Sequence, residues 1–463
     1  MSTPNIVFIL IDDLGWRDLG CYGSTFYETQ NLDRLAAQGV RFTQATAACP
    51  VCSPSRASLM TGKWPARLGI TQYIHDSPGS RGKLVDAPFV RELAHTEVSV
   101  ANALREGGYT TWHVGKWHLG KESFYPETHG FDVNIGGCHM GHPHHGYFSP
   151  YQIPTLTDGP EGEYLTDRLT DEAMALVERH VQSGSDKPFF LNFWHYAVHT
   201  PIQVPEALKG KYLAKAAALG LDKIPPFEEG EPFPTEEKQH LRVRRRRLQS
   251  DPAYAAMVEN LDTNIGRLVA RLPENTVVIF TSDNGGLATS EGSPTCNAPL
   301  VEGKGWMYEG GIREPLIVWE PRRFAPQLCE TPLSSPDFYP TLLELAGLTP
   351  RPEQHCDGRS FVPLLHGETL PERPLFWHYP HYGNQGGTPG AAVRLGPWKL
   401  IEFFEDNHCE LYNLDDDPSE QENVALQNTA RVAQLQDLLH RWQEEVAAVH
   451  PLPNPKYVKE TTC

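Results

Sequence analysis

The sequence predicts an α/β fold. A large, mostly parallel mixed sheet carries helices on both faces, and a smaller C-terminal α+β subdomain is built on an antiparallel sheet. Three observations carry this expectation. Short, almost wholly apolar runs recur through residues 1–365, as strands buried on both faces require. Amphipathic stretches with helix stop signals separate them, which is the alternation of a layered α/β domain. Near residue 366 the composition shifts to loops rich in Gly, Pro, His and Tyr. The predicted division is 1–365 for a large α/β domain and 366–463 for a smaller C-terminal unit.

The apolar runs are NIVFILI (5–11), YTTWHV (109–114), FFLNF (189–193), TVVIF (276–280) and PLIVW (315–319). NLDRLAAQG (31–39) predicts a helix with Asn31 as N-cap and Gly39 just past its end. SSPDFYPTLLELAG (334–347) predicts another, entered at Ser335 before Pro336 and left at Gly347. LRVRRRRLQ (241–249) is the one basic run. It reads as a solvated helix face neutralised by Glu236, Glu237 and Asp251, with a polyanion-binding strip as the other reading. WKLIEFF (398–404) and CELYNL (409–414) predict paired antiparallel strands, and Thr429 to Val446 a closing amphipathic helix.

The 463 residues suffice for a sizeable core and more than one structural unit. The net charge of −18 argues against nucleic acid or an anionic membrane surface as a general partner. Nine cysteines in this length do not read as a disulfide framework, though one or two bridges stay open. The apolar run Ile6–Ile11 is far short of the roughly 20 residues of a spanning helix, and no signal peptide precedes it. The expectation is a cytoplasmic protein as written, or an exported one whose leader was removed.

Ligands of open α/β sheets bind at the carboxyl ends of the strands. The first apolar run ends in Asp12-Asp13, and the run 276–280 leads into Asp283-Asn284. Three carboxylates and an amide oxygen, without His or Cys, suit a hard cation, Ca²⁺ or Mg²⁺. Either pair alone also reads as an ordinary turn; both following strongly apolar strands favours a shared site.

The stretch ACPVCSPSRASLMTG (48–62) contains Cys49 and Cys52. As C-x-x-C it suggests a redox or zinc module, but no second C-x-x-C supplies the other half of a four-cysteine site. Read from Cys52, Pro54 favours the first turn of a helix. Cys52 then sits at a helix N-terminus, where dipole and free N–H groups favour negative charge, with Arg56 one turn later. Lys116 and His118 follow the run 109–114, and His195 and His199 follow 189–193. Lys304 lies between glycines that let backbone approach a ligand closely. Three carboxylates, a divalent cation and the three basic side chains Arg56, Lys116 and Lys304 sum to a positive pocket, suited to a small oxyanion.

At this point the chain resembles a type I, formylglycine-dependent sulfatase of the alkaline phosphatase superfamily. The signature C-x-P-S-R-x-x-x-x-T-G is met by Cys52, Pro54, Ser55, Arg56, Thr61 and Gly62. Counted from Cys49, the proline position falls on Val51, so the signature starts at Cys52. The likeness runs from Asn5-Ile6-Val7 to the ELYNL segment at 410–414. It implies a sulfuric ester hydrolase in which a maturation enzyme converts Cys52 to formylglycine. The hydrate would act as nucleophile and pass through a sulfo-enzyme intermediate. It implies that Asp12, Asp13, Asp283 and Asn284 hold a metal, usually calcium. Arg56, Lys116, His118, His199 and Lys304 would bind sulfate and move protons. A phosphate or phosphonate monoester hydrolase on the same fold is the alternative.

Among such enzymes the chain is most similar to those acting on sulfated mono-, oligo- or polysaccharides, galactose and N-acetylgalactosamine sulfates included. Two histidine-rich loops fit a sugar pocket, CHMGHPHHGYFSPY (138–151) and FWHYPHYGNQGG (376–387). A packed polar loop or an adventitious zinc site are their other readings. From the second loop, His378 and His381 are the expected substrate contacts.

Overall fold

The computed structural model describes residues 3–77 and 79–457. Eight of the described strands form one sheet. They are β1 (Asn5–Ile11), β2 (Val40–Phe42), β3 (Thr110–Gly115), β4 (Val133–Ile135), β5 (Phe189–Trp194), β6 (Thr276–Ser282), β7 (Leu316–Trp319) and β8 (Gln327–Cys329). Their spatial order is β8-β2-β7-β6-β1-β5-β3-β4. Only β7 runs against its neighbours, pairing antiparallel with β6 and β2. All five apolar runs are strands, and four of them, β6, β1, β5 and β3, lie side by side and parallel.

Alternation explains the two-sided core. Val7, Ile9 and Ile11 of β1 pack into one apolar cluster with α4 (Leu165–Gln182) and α5 (Pro252–Val269). Ile6, Phe8 and Leu10 pack into another, with α3 (Val100–Glu106) and α6 (Phe338–Leu345). Successive side chains of a strand point to opposite faces, so a run apolar at every position needs a helix layer on each side. Two further helices lie earlier in the chain, α1 (Gln30–Gln38) and α2 (Cys52–Thr61).

The C-terminal unit is a four-stranded antiparallel sheet, β9 (Leu375–Tyr379), β10 (Gly390–Leu395), β11 (Trp398–Phe403) and β12 (Cys409–Asn413), backed by α7 (Thr429–Glu445). Its apolar face includes Trp377, Val393, Leu400 and Leu439 and packs on Ala48, Cys49 and Val51, the segment leading into α2. Trp377 Nε1–H also donates to Ala47 O at 2.8 Å. The second unit therefore grips the chain just ahead of Cys52.

Three local expectations change. Thr29, not Asn31, precedes α1; Asn31 lies inside the helix and its N–H and side-chain amide both donate to Asp262. Residues Ser335–Asp337 form a 3₁₀ turn ahead of α6, and Ser335 Oγ accepts from Ala48 N–H. The basic run is not a helix face. Arg242–Arg246 is a strand paired antiparallel with Phe227–Pro232. Alternation along a strand sends its arginines to two sides, where Glu231 and Glu302 pair with Arg245 and Asp251 with Arg246. Glu236 instead accepts from Asn454.

All eight described cysteines are free. No helix among the described residues is long and apolar enough to cross a membrane.

A buried ionic cluster joins the two units. Lys399 Nζ of β11 lies 2.9 Å from Glu309 and 2.8 Å from Glu420, all three without side-chain exposure. Removing one partner of a buried pair leaves an uncompensated charge. Lys399→Met therefore lowers stability by about 3 kcal/mol or more, read as a drop in the urea midpoint. A wild-type midpoint would show that the cluster adds nothing.

Candidate active site

Four neighbouring strands deliver polar side chains to one edge of the sheet. Asp12 and Asp13 leave β1, Asp283 and Asn284 leave β6, His195 leaves β5 and Lys116 leaves β3. The strands are parallel, so all four carboxyl ends open on the same side. Gly115 makes the last turn of β3 feasible. Its φ is +101°, and a Cβ there would stand 1.9 Å from Trp194 O. The bare backbone brings Lys116 N–H to 2.7 Å from that same carbonyl.

The signature residues have separate structural tasks. Cys52 is the first residue of α2, whose ten residues are all buried. Ser55 Oγ donates to Cys49 O at 2.9 Å and fixes the entry to the helix. Gly62 ends it in the left-handed region at φ +70°, its N–H donating to Ser58 O. A Cβ at Gly62 would approach His355 Cβ to 2.4 Å. Arg56 Nε donates to Asp283 Oδ2 at 2.8 Å and Nη1 to Lys116 O at 3.0 Å, with the guanidinium over the Trp194 ring.

Two further cation–carboxylate pairs complete the floor. Lys116 Nζ donates to Asp12 Oδ2 at 2.6 Å. Lys304 Nζ donates to Asp13 Oδ2 at 2.8 Å and to His199 Nε2 at 3.0 Å. Burial opposes charge on both members of the second pair. Lys304 still holds the Asp13 carboxyl well below the usual range, and Asp13 holds the Lys304 ammonium well above its own. Asp13 sits at φ +63°, a conformation non-glycine residues hold only when surroundings impose it.

Hydrogen-bond partners set the tautomers of both histidines. His118 Nε2 is 2.8 Å from Ile74 O, so Nε2–H donates and Nδ1 keeps its lone pair. That Nδ1 lies 3.4 Å from Cys52 Sγ. His199 Nδ1 is 2.8 Å from Thr200 O, so Nδ1–H donates and Nε2 accepts from Lys304. Burial, then Lys116 for His118 and Lys304 for His199, hold both rings neutral, well below the ordinary imidazole range. Burial also pushes the Cys52 thiol up, against Lys116 and Lys304.

The donor set fits a hard divalent cation. Asp12 Oδ1 and Asn284 Oδ1 are buried oxygens without a hydrogen-bond partner. Such atoms are costly unless something binds them. Burial pushes the Asp12 carboxyl up to about 8, against Lys116, and the neighbouring Asp283 and Asp13 add to the rise. Asp12 is thus the carboxylate short of positive charge. Oxygen donors in this number suit calcium or magnesium. Donor atoms of Asp12, Asp13 and His199 also come within 4.8 Å of one another.

Above this floor opens a cavity of about 370 Å³, lined by Cys52, His118, His199 and Lys304 together with Tyr73 and Glu291. The structure thus gathers Cys52, Arg56, Lys116, His118, His199, Lys304, Asp12, Asp13, Asp283 and Asn284 in one place. It does not bring His378 and His381 there. His378 Nε2 is 2.9 Å from Val449 O, and His381 Nε2 is 2.9 Å from Thr71 Oγ1; both are buried and absent from the cavity wall. Their neighbours Asn384 and Gln385 line it instead. His195 is wholly buried below the cavity wall, against Phe193. From the other histidine-rich loop His142 reaches the cavity and stacks on His199, with ring centroids 5.5 Å apart. Sequence reasoning missed Tyr73 and Glu291, which carry no motif. Asn384 and Gln385 lay inside the flagged loop, just beyond the end of β9.

Residues 4–348 match the sulfatase family model, three quarters of the chain by span. The chain belongs to the sulfatase family. Residues 302–448 also match the model for the C-terminal part of N-sulphoglucosamine sulphohydrolase. N-acetylgalactosamine-6-sulfatase of Canis lupus familiaris is 32% identical over 434 residues, covering 88% of this chain and 73% of the relative. Arylsulfatase A of Homo sapiens is 33% identical over 473 residues, covering 91% and 83%. The crystal structure of Ps i-CgsB with k-i-k-neocarrahexaose superposes with a TM-score of 0.75 at 27% identity, covering 100% of this chain and 96% of the other. This sulfatase is a sulfuric ester hydrolase.

Calcium added to chelator-treated sulfatase raises its melting temperature, because a ligand that binds only the folded state stabilises it. The shift disappears in Asp12→Ala and Asn284→Ala, whose orphaned oxygens are removed. An undiminished shift in both variants would place the cation elsewhere.

Proposed function

We propose that this sulfatase removes sulfate from a sulfated carbohydrate of the galactose or N-acetylgalactosamine type, using formylglycine formed at Cys52 by a maturation enzyme. One observation carries the reading: the unprotonated Nδ1 of His118 faces position 52 at 3.4 Å, directly above the buried cations. The relatives named for N-acetylgalactosamine 6-sulfate support the sugar class, as does a cavity wall of Tyr73, Asn384 and Gln385. The division near residue 366 belongs to the same proposal, with the C-terminal unit contributing those two amides.

As a hydrated aldehyde, residue 52 supplies one oxygen to attack sulfur and a second hydroxyl whose deprotonation lets the aldehyde re-form and sulfate leave. A thiol has no such second hydroxyl. A divalent cation held by Asp12, Asp13, Asp283 and Asn284 supplies positive charge that favours an ionised oxygen beside it.

The chain's own residues do the rest. Arg56 and Lys116 set fixed positive charge under the reacting centre, where exclusion of water makes it count. His118 Nδ1 accepts the proton of the hydroxyl at position 52, while its Nε2–H stays on Ile74 O. On the far side, Lys304 donates to His199 Nε2, so the pair can hand a proton to the departing sugar oxygen. The stacked His142 ring holds His199 in that orientation.

Cys52→Ala abolishes turnover and keeps the fold, read by circular dichroism and sulfate release; normal turnover would sink the mechanism. Peptide mass spectrometry of active wild type finds formylglycine at position 52. Relative kcat/KM on paired aryl sulfate and aryl phosphate favours sulfate, and a preference for phosphate would establish the phosphate monoester reading.

His199→Ala separates proton donation from binding. It costs about 10²–10⁴ in kcat on sugar sulfates, whose alkoxide needs a proton. It costs far less on 4-nitrophenyl sulfate, whose leaving group departs without one. Equal losses on both would remove His199 from the proton path.

A further inference from the structure

The arginine strand has no part in the chemistry above, yet it holds one wall of the cavity. Arg246 N–H donates to Ala288 O at 2.9 Å, and Ser290 N–H donates to Arg244 O at 3.3 Å. Arg245 and Thr289 form an antiparallel bridge between these two bonds. The loop after β6 is thereby tied to a strand whose Arg245 and Arg246 pair with carboxylates and whose Arg244 lies over the Phe227 ring. At its tip Ser290, Glu291, Gly292 and Ser293 all have positive φ, and Ser293 N–H donates to Ser290 O at 2.8 Å. This tight turn projects Glu291 into the cavity wall.

Glu291 is unlike the carboxylates of the floor. It makes no ion pair among the described residues. Its one side-chain hydrogen bond among the described residues is to a neutral group: Gln385 Nε2–H donates to Glu291 Oε2 at 2.8 Å. Gln385 is 3% exposed, so the buried amide fixes the orientation of the exposed carboxylate. The other carboxylate oxygen and Gln385 Oε1 are both acceptors only. A wall that presents acceptors and a negative charge binds hydroxyl or amide N–H donors. It disfavours a second anionic group beside the sulfate held by the floor.

We propose that Glu291, oriented by Gln385, is a specificity residue that selects a sugar sulfated once, with donor groups on the neighbouring carbons, over the same sugar sulfated twice. This rests on the sulfate-ester reading above and narrows its substrate class. The arginine strand serves as the scaffold of this wall rather than as a polyanion site.

The test is kcat/KM of matured wild type and Glu291→Gln on N-acetylgalactosamine 6-sulfate and N-acetylgalactosamine 4,6-disulfate, with the corresponding galactose pair alongside. Wild type prefers the monosulfate by about tenfold or more, the scale of one unfavourable like-charge contact. Glu291→Gln, isosteric and at an exposed position, lowers that preference by about tenfold, mainly through KM of the disulfate. Equal wild-type rates on the two sugars, or a ratio changed less than about twofold by the substitution, would overturn the proposal. Hydrolysis of 4-nitrophenyl sulfate with neither sugar pair accepted overturns the sugar-reading wall and leaves the sulfatase reading standing. Release of phosphate from aryl phosphate with no sulfate released from any ester overturns both.

Discussion

Everything at this site depends on burying six formal charges in one small volume. Asp12, Asp13 and Asp283 face Arg56, Lys116 and Lys304, and none is more than 5% exposed. Charges taken out of water are tolerated only when each finds a partner at good distance. The pairs found here, at 2.6–2.8 Å, meet that condition. They could not be assembled by a loop alone, because a mobile loop would let water between them. Rigid strand ends supply the precision, and the two helix layers that dry the sheet also dry the site. The same exclusion of water that makes the cluster costly makes its field strong at the cavity floor.

The second unit matters because it completes that exclusion. Its apolar face packs on Ala48, Cys49 and Val51, and Trp377 bonds Ala47 O, so the approach to Cys52 has one conformation. The Lys399 cluster then ties β11 to Glu309, at the start of the short helix that follows the Lys304 segment. Two separate anchors, one before Cys52 and one after the Lys304 loop, make the C-terminal unit part of the frame around the cavity. Its other contribution is chemical. Asn384 and Gln385 bring neutral amides to a cavity whose floor is charged.

Legibility in the sequence followed the range of the physics involved. Strands buried on both faces are apolar at every position, so β1, β3, β5, β6 and β7 were plain from composition over a few residues. The metal and catalytic candidates were legible because each follows such a strand or sits in the signature. The arginine run misled because periodicity cannot be judged in a stretch of one repeated residue type. Its acidic partner strand, Phe227–Pro232, carries Pro and Gly and few apolar side chains. His378 and His381 misled for a different reason. On β9, a strand apolar on both sides, His378 is drawn into the core and finds Val449 O as its partner, and His381 just beyond finds Thr71. Glu291 and Tyr73 owe their places to tertiary contacts, which leave no local trace.

The two cysteines of the signature stretch show how much three residues of offset change a side chain's surroundings. Cys49 lies in an apolar cluster with Trp64, Trp377 and Leu400, and burial pushes its thiol far up. Nothing there would stabilise a thiolate, an aldehyde hydrate or a metal. Cys52 is just as buried, but the wall around it is polar: a helix N-terminus beneath it, His118 Nδ1 at 3.4 Å and two lysines whose charge opposes the desolvation. A thiol uses little of that apparatus, since it is weakly polar and offers a single proton. An oxygen nucleophile with two hydroxyls uses all of it: positive charge for the oxygen that attacks, and an unprotonated imidazole for the one that collapses. Polar surroundings of this kind suit a residue with more oxygen than cysteine has, which is the physical argument behind the proposal that Cys52 is a precursor.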